Sequence, residues 1–453
     1  MTVAILALAT LGLPPPSTVP PAAAGPQSAR CITAPIRFGA PVRVGDFQGF
    51  EPSIEIDSVG RIFVTAAEYP QGTSAGGSPL WRSTDDGKTF QEVVARPGAY
   101  AWEGDIALDA DDRVYFVDMY AFAESHLSRY SPGGELLELY RPAVINSQPL
   151  DDRPWIAAHG KGIVYYLAHN GTSGDLSTGR ITVQTSTDGG LTFGRDFIFP
   201  GSGWGTVETD PNSDQAYVAY NNLFYAGAAP DGRPRATKIM VWDSDDGGTS
   251  WQSHLVGTYK IGYGMGLPGD DHRDGVPTVG VSPVDGTVYT LWSDGGRRIK
   301  LARSRDHGRS WKVFDVTPFK GRFSFPWMTV GPTGDVGIVF AGDPDNVGRA
   351  EDYIYGMVWR GSGCRRDSNG TRCDRRWSAS YGRVRPAHVG DWSSQLDFFQ
   401  AEFTPDNRLV VPFTDKDVVV PFTNEPGSHI LLARQRSGFN LDGRSVCGLV
   451  GRP

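Results

Sequence analysis

Residues 52–66, PSIEIDSVGRIFVTA from Pro52 to Ala66, carry the pattern that decides the fold. Ile54 and Ile56, then Ile62 and Val64, alternate with their neighbours at a period of two, the signature of strands half-buried between sheets. Asp57, Ser58 and Gly60 between them are turn formers, so the stretch reads as one hairpin. The unit returns as GDIALDADDRVYFVD from Gly104, PWIAAHGKGIVYYLAH from Pro154 and TVETDPNSDQAYVAYN from Thr206. It returns again as PTVGVSPVDGTVYTLW from Pro277, PWMTVGPTGDVGIVFA from Pro326 and FQAEFTPDNRLVVPFT from Phe399. No segment shows sustained helical periodicity with caps. Repeats about 50 to 70 residues apart, each supplying one small antiparallel sheet, predict an all-β propeller of four-stranded blades. Seven blades are expected. Six is the alternative count, with the units at Gly104 and Phe399 in doubt.

A sharper motif closes four of the units. It reads STDDGKTF over Ser83 to Phe90, STDGGLTF over Ser186 to Phe193, SDDGGTSW over Ser244 to Trp251 and SRDHGRSW over Ser304 to Trp311. The Asp carboxylate can accept turn amides, the Gly takes a backbone conformation closed to other residues, and the aromatic packs between sheets. Asp85, Asp188, Asp246 and Asp306 are therefore expected to be structural. One match is weak; four at the same place in the repeat are strong.

Composition agrees. The chain has 453 residues, with 43 Lys+Arg against 51 Asp+Glu and a net charge of −8 without a basic block, which argues against a nucleic-acid partner. It holds 57 Gly and 33 Pro for corners, and 12 Trp, 17 Tyr and 22 Phe, more aromatics than a disordered chain carries. Val3 to Leu13 is a short apolar run followed by a Pro-rich stretch and Ala22-Ala23-Ala24, so residues 1–24 read as an export signal, although no Lys or Arg precedes the run. The expected organisation is that signal, an N-terminal segment 25–47 and a propeller over 48–453. Pro35 to Val44 is expected to lend an outer strand to the last blade. No later apolar segment reaches membrane-spanning length, and a secreted monomer without a membrane span is expected. Four cysteines in an exported chain suggest two disulfides, Cys364 with Cys373 across a polar loop and Cys31 with Cys447 tying the ends, one of three possible pairings.

The four octapeptides are the Asp box, S-x-D-x-G-x-[TS]-[WF], and on them the chain resembles the sialidase superfamily. The resemblance covers most of the chain as architecture and four octapeptides in detail. It implies action on glycans, as a glycoside hydrolase; the alternative is a non-catalytic propeller that binds a glycan or protein ligand. It also implies three arginines on a substrate carboxylate, an Asp acid/base and a Tyr nucleophile assisted by a Glu. Here the family's early Arg-Ile-Pro is replaced by Phe50-Glu51-Pro52, and its Tyr-Ser-x-Leu by Trp392-Ser393-Ser394-Gln395-Leu396. Tyr381 is the nearest tyrosine in sequence. Arg153, Arg273 and Arg322 are a possible triad by repeat position.

Loops before the inner strands line one mouth of a propeller, and the candidate residues come from them. Glu51, Glu103, Asp152 and Asp271 are candidate acids or bases, with hydrogen bonding to loop amides as the structural alternative for Glu51 and Glu103. Arg153 is a candidate anion ligand or a blade-to-blade ion pair. Trp204 and Trp392 are sugar platforms or packing residues. Asp270 to Asp274 is a solvated loop or a calcium site, and no other cofactor is expected.

Overall fold

The computed structural model describes residues 35–68, 79–93, 101–120, 124–142, 151–170, 180–200, 204–222, 236–260, 276–344, 353–361, 363–367, 370–374, 377–385, 398–415, 429–438 and 441. The chain forms seven four-stranded antiparallel blades, with no helix among the described residues. The inner strands of blades 1 to 7 end in Val42–Ile56, Ala101–Leu108, Asp151–His159, Gly205–Thr209, Thr278–Val281, Arg322–Val330 and Glu402–Phe403. The units at Gly104 and Phe399, without octapeptides, are blades 2 and 7.

The ring is closed by the N-terminal segment. Arg37 and Phe38 pair with Ser437 and Gln435 of the last blade, and Val42 and Arg43 pair with Leu432 and Leu431. The long strand Val42–Ile56 then crosses to blade 1, where Ser53 to Ile56 pair with Thr65 to Ile62. One strand thus belongs to the first and last blades together.

Each blade interface holds its own apolar cluster. Phe63 and Leu80 of blade 1 meet Ile106, Val114 and Phe116 of blade 2. Ile54, Ile62 and Val64 meet Val410, Ile430 and Leu432 across the closure. The four octapeptide turns sit on these interfaces. In each, the Ser hydroxyl accepts the Gly amide, from Gly87, Gly190, Gly248 and Gly308, at 2.8–2.9 Å. The Asp carboxylate accepts the amide and hydroxyl of the residue four later, as Asp188 does from Thr192 at 2.8 and 2.6 Å. Gly190 has φ 82°, and a Cβ there would stand 2.4 Å from Leu127 of the preceding blade. Phe90, Phe193, Trp251 and Trp311 each pack into the interface with the blade before.

The hairpin Gly363–Asp367 with Gly370–Asp374 is an insertion in blade 6, and its register sets Cys364 directly across from Cys373. Cys31 and Cys447 lie outside the described residues.

Candidate functional site

Seven equivalent inner strands make rings of equivalent residues around the axis. Because side chains alternate, every second position faces the channel. Counting from the mouth, the first channel row is Ser53, Asp105, Trp155, Thr206, Thr278, Trp327 and Gln400. The second, two residues on, is Glu55, Ala107, Ala157, Glu208, Gly280, Thr329 and Glu402.

Above the first row stands the mouth position. The registers of four inner strands break there, between Phe50 and Ser53, Ala101 and Gly104, Asp152 and Trp155, and Ser324 and Trp327. Each break leaves two residues unpaired, a β-bulge, a device that re-aims side chains beside binding sites. The bulged residues include Glu51, Glu103, Arg153 and Phe325. Glu51 and Phe325 have φ of 55° and 53°, left-handed backbone that costs a non-glycine residue on the order of 1 kcal/mol. Glu51 is only 2% exposed. Three residues chosen from sequence therefore lie in the mouth bulges of three successive blades, Glu51 and Arg153 as the first residue of their bulge and Glu103 as the second of its own.

Trp204 stands at the matching position of blade 4 and is buried, its ring 4.7 Å from the His169 ring. Of its two expected roles, burial and this ring contact favour packing. Arg322 opens the inner strand of blade 6 opposite Asp343. Tyr381 lies on the outermost strand of blade 6, Ser378–Arg383, beside Phe319 and Tyr355 and away from the channel. Asp152 lies in the strand Asp151–His159, where only its backbone is described. Asp271, Arg273 and Trp392 lie outside the described residues, as does the calcium candidate Asp270 to Asp274. Among the described residues no three His, Cys, Asp or Glu side chains are placed to hold a metal ion.

Beneath the mouth the channel is plugged. Trp155 of blade 3 and Trp327 of blade 6 have centroids 5.0 Å apart, and Phe398 lies 4.6 Å from Trp155 and 5.9 Å from Trp327. Blades 3 and 6 face each other across the ring, so their contact crosses the axis. Beside the plug, Asp105 accepts hydrogen bonds from Ser53 Oγ at 2.6 Å, Gln400 Nε2 at 2.9 Å and the Ile156 amide at 3.0 Å. One carboxylate thereby joins blades 7, 1, 2 and 3. Burial raises its pKa despite these hydrogen bonds.

Below the plug lies a cavity of about 370 Å³, lined by Glu55, Glu208 and Glu402 and reaching the turns at Ala110, Gly160, Pro211 and Pro283. Its open end is the face of the octapeptides, since Gly189 of one octapeptide donates to Gly162 O in the turn between the first two strands of its blade. Desolvation pushes the carboxyls of Glu208 and Glu402 up to about 7. Glu55 is raised as well, by burial first and then by repulsion from Glu402, Glu208 and Asp105. Thr329 Oγ1 donates to Glu402 at 2.7 Å. Sequence reading missed this ring. Superimposing the seven quoted units would have exposed it, because SIEI, TVET and QAEF put Glu at the same place.

No family model matches the chain, and no curated protein matches it. Solved structures are similar over most of the chain. One is a protein of unknown function from Dyadobacter fermentans, 14% identical with a TM-score of 0.46, covering 88% of this chain and 98% of that one. Another is a Hadza microbial sialidase, 12% identical with a TM-score of 0.42, over 82% of this chain and 76% of that one. A third is an α-L-arabinofuranosidase from Fusarium graminearum, 15% identical with a TM-score of 0.42, over 89% and 98%.

Proposed function

We propose that this chain is an exported propeller acting on glycans as a glycoside hydrolase, with its reacting groups at the bulged mouth. The observation that carries the reading is Glu51, a carboxylate buried in left-handed backbone, with Glu103 and Arg153 at the same bulge on the next two blades. A buried acid in a strained position costs stability, and such costs concentrate where a site needs them. In this reading Glu51 and Glu103 serve as the acid and base pair of glycoside hydrolysis, and Arg153 grips an anionic group of the sugar. Export rests on the apolar segment Val3 to Leu13.

The test is turnover of a panel of fluorogenic glycosides, sialosides included, by the purified protein. Glu51→Gln is expected to lower kcat at least about a hundredfold, the usual worth of a general acid or base, with the melting temperature unchanged. Full activity in Glu51→Gln would overturn the assignment. Glycan binding without turnover by the parent would support the ligand-binding alternative instead.

A further inference from the structure

The cavity below the plug is a second polar site, on the opposite face from the mouth. Glu402 and Glu55 stand on adjacent blades 7 and 1, while Glu208 stands on blade 4 across the ring, and Asp105 lies deeper against the plug. Among the described residues no Lys or Arg lines the cavity. His159 at the open end is 3.3 Å from Asp214, and Asp109 there is turned to its own hairpin amides. Independently of the carboxylates, Thr278 lines the same cavity at 1% exposure with a hydroxyl that has no hydrogen-bond partner in the structure. A buried hydroxyl is stabilised by any polar group brought within its reach.

We propose that this axial cavity binds a small linear aliphatic diamine or polyamine, one ammonium group on the Glu55–Glu402 wall and another on Glu208, with the Thr278 hydroxyl as a further acceptor. The split of charge across the ring decides against a bare metal ion, since no three carboxylates share one centre among the described residues. The volume, about 370 Å³, suits a small organic molecule. Ala107 and Ala157, in the channel row between the acidic walls, offer apolar surface to the methylene spacer. Burial raises the carboxyl pKa values of Glu55, Glu208 and Glu402, and a cation between them would favour their ionised forms.

Calorimetry and thermal melting with 1,4-diaminobutane and spermidine test this, with butylamine, Ca²⁺ and Mg²⁺ as comparisons. The diamine is expected to bind with one-to-one stoichiometry, to raise the melting temperature, and to bind more tightly as pH rises through the range where Glu55, Asp105, Glu208 and Glu402 ionise. Glu208→Gln keeps shape and removes one ammonium partner, so affinity should fall at least about tenfold. Thr278→Val should weaken binding without unfolding the ring. Turnover at the mouth by Glu208→Gln should equal that of the parent, which separates this site from the proposed catalytic one. Absence of diamine binding, equal affinity for butylamine, or tighter binding of either metal ion would each overturn the proposal.

Discussion

Asp188 shows what one side chain contributes at the residue scale. Its carboxylate takes Ser186 Oγ at 2.8 Å together with the amide and hydroxyl of Thr192, and these partners hold its pKa down to about 2. Asp188→Ala removes the acceptor from the turn and should cost about 1–3 kcal/mol, read as a lower melting temperature with function per folded molecule unchanged. Normal melting with lost function would reverse that role. Gly190→Ala should cost more, because φ is 82° and the new Cβ meets Leu127. Arg153 is the test of the mouth. Arg153→Ala should weaken ligand binding at least about tenfold with the fold intact, and Arg153→Lys should rescue little, because an ammonium lacks the planar fork. Lower stability with unchanged affinity would identify a blade-to-blade ion pair instead.

At the scale of elements, an arginine on the third strand of blades 1, 2, 5 and 7 meets a turn of the next blade. Arg82 Nη1 donates to Gly133 O at 2.6 Å, Arg129 Nη1 to Gly189 O at 2.7 Å and Arg303 Nη1 to Gly361 O at 3.0 Å. Arg434 pairs with Asp86 at the same position of blade 7, across the closure. These arginines are inter-blade clamps. Arg129→Met should lower stability by about 1–3 kcal/mol, measured by denaturant unfolding, since a partly buried carbonyl loses a charged donor. The inserted hairpin of blade 6 carries a covalent prediction. A directly opposed antiparallel pair has Cα atoms about 4.5–5.5 Å apart, within the disulfide range, so Cys364 and Cys373 should be found bridged by non-reducing peptide mapping. Two free thiols would refute this.

For the whole molecule, pH reads out the two kinds of carboxylate. Glu208 and Glu402 stand at about 7 when folded, against 4.5 ordinarily. The folded state therefore holds their protons more tightly, and stability should fall as pH rises from about 4.5 to about 7, then level off. Asp85, Asp188 and Asp306 stand at about 2 against 3.8, so their contribution is present above 3.8 and is lost as pH falls towards 2. Melting temperature against pH should peak between these two slopes. Glu208→Gln should flatten the upper slope; an unchanged profile would show that the ring carboxylates do not control it.

The sequence by itself determined the seven blades and the four octapeptide turns. Strand alternation and turn chemistry are local, and SIEID or STDDG carries its geometry within a few residues. It also brought Glu51, Glu103 and Arg153 forward, because each precedes an inner strand. Only the tertiary structure decided that these three share a bulge, that Trp204 packs against His169, and that Trp155 meets Trp327 across the axis. The gathering of Glu55, Glu208 and Glu402 is of the same kind. Residues up to 347 positions apart, as Ser53 and Gln400 are, become hydrogen-bonded neighbours only when the ring closes. A periodic sequence specifies what each blade presents to the axis, and closure determines which groups then face one another and lose their water.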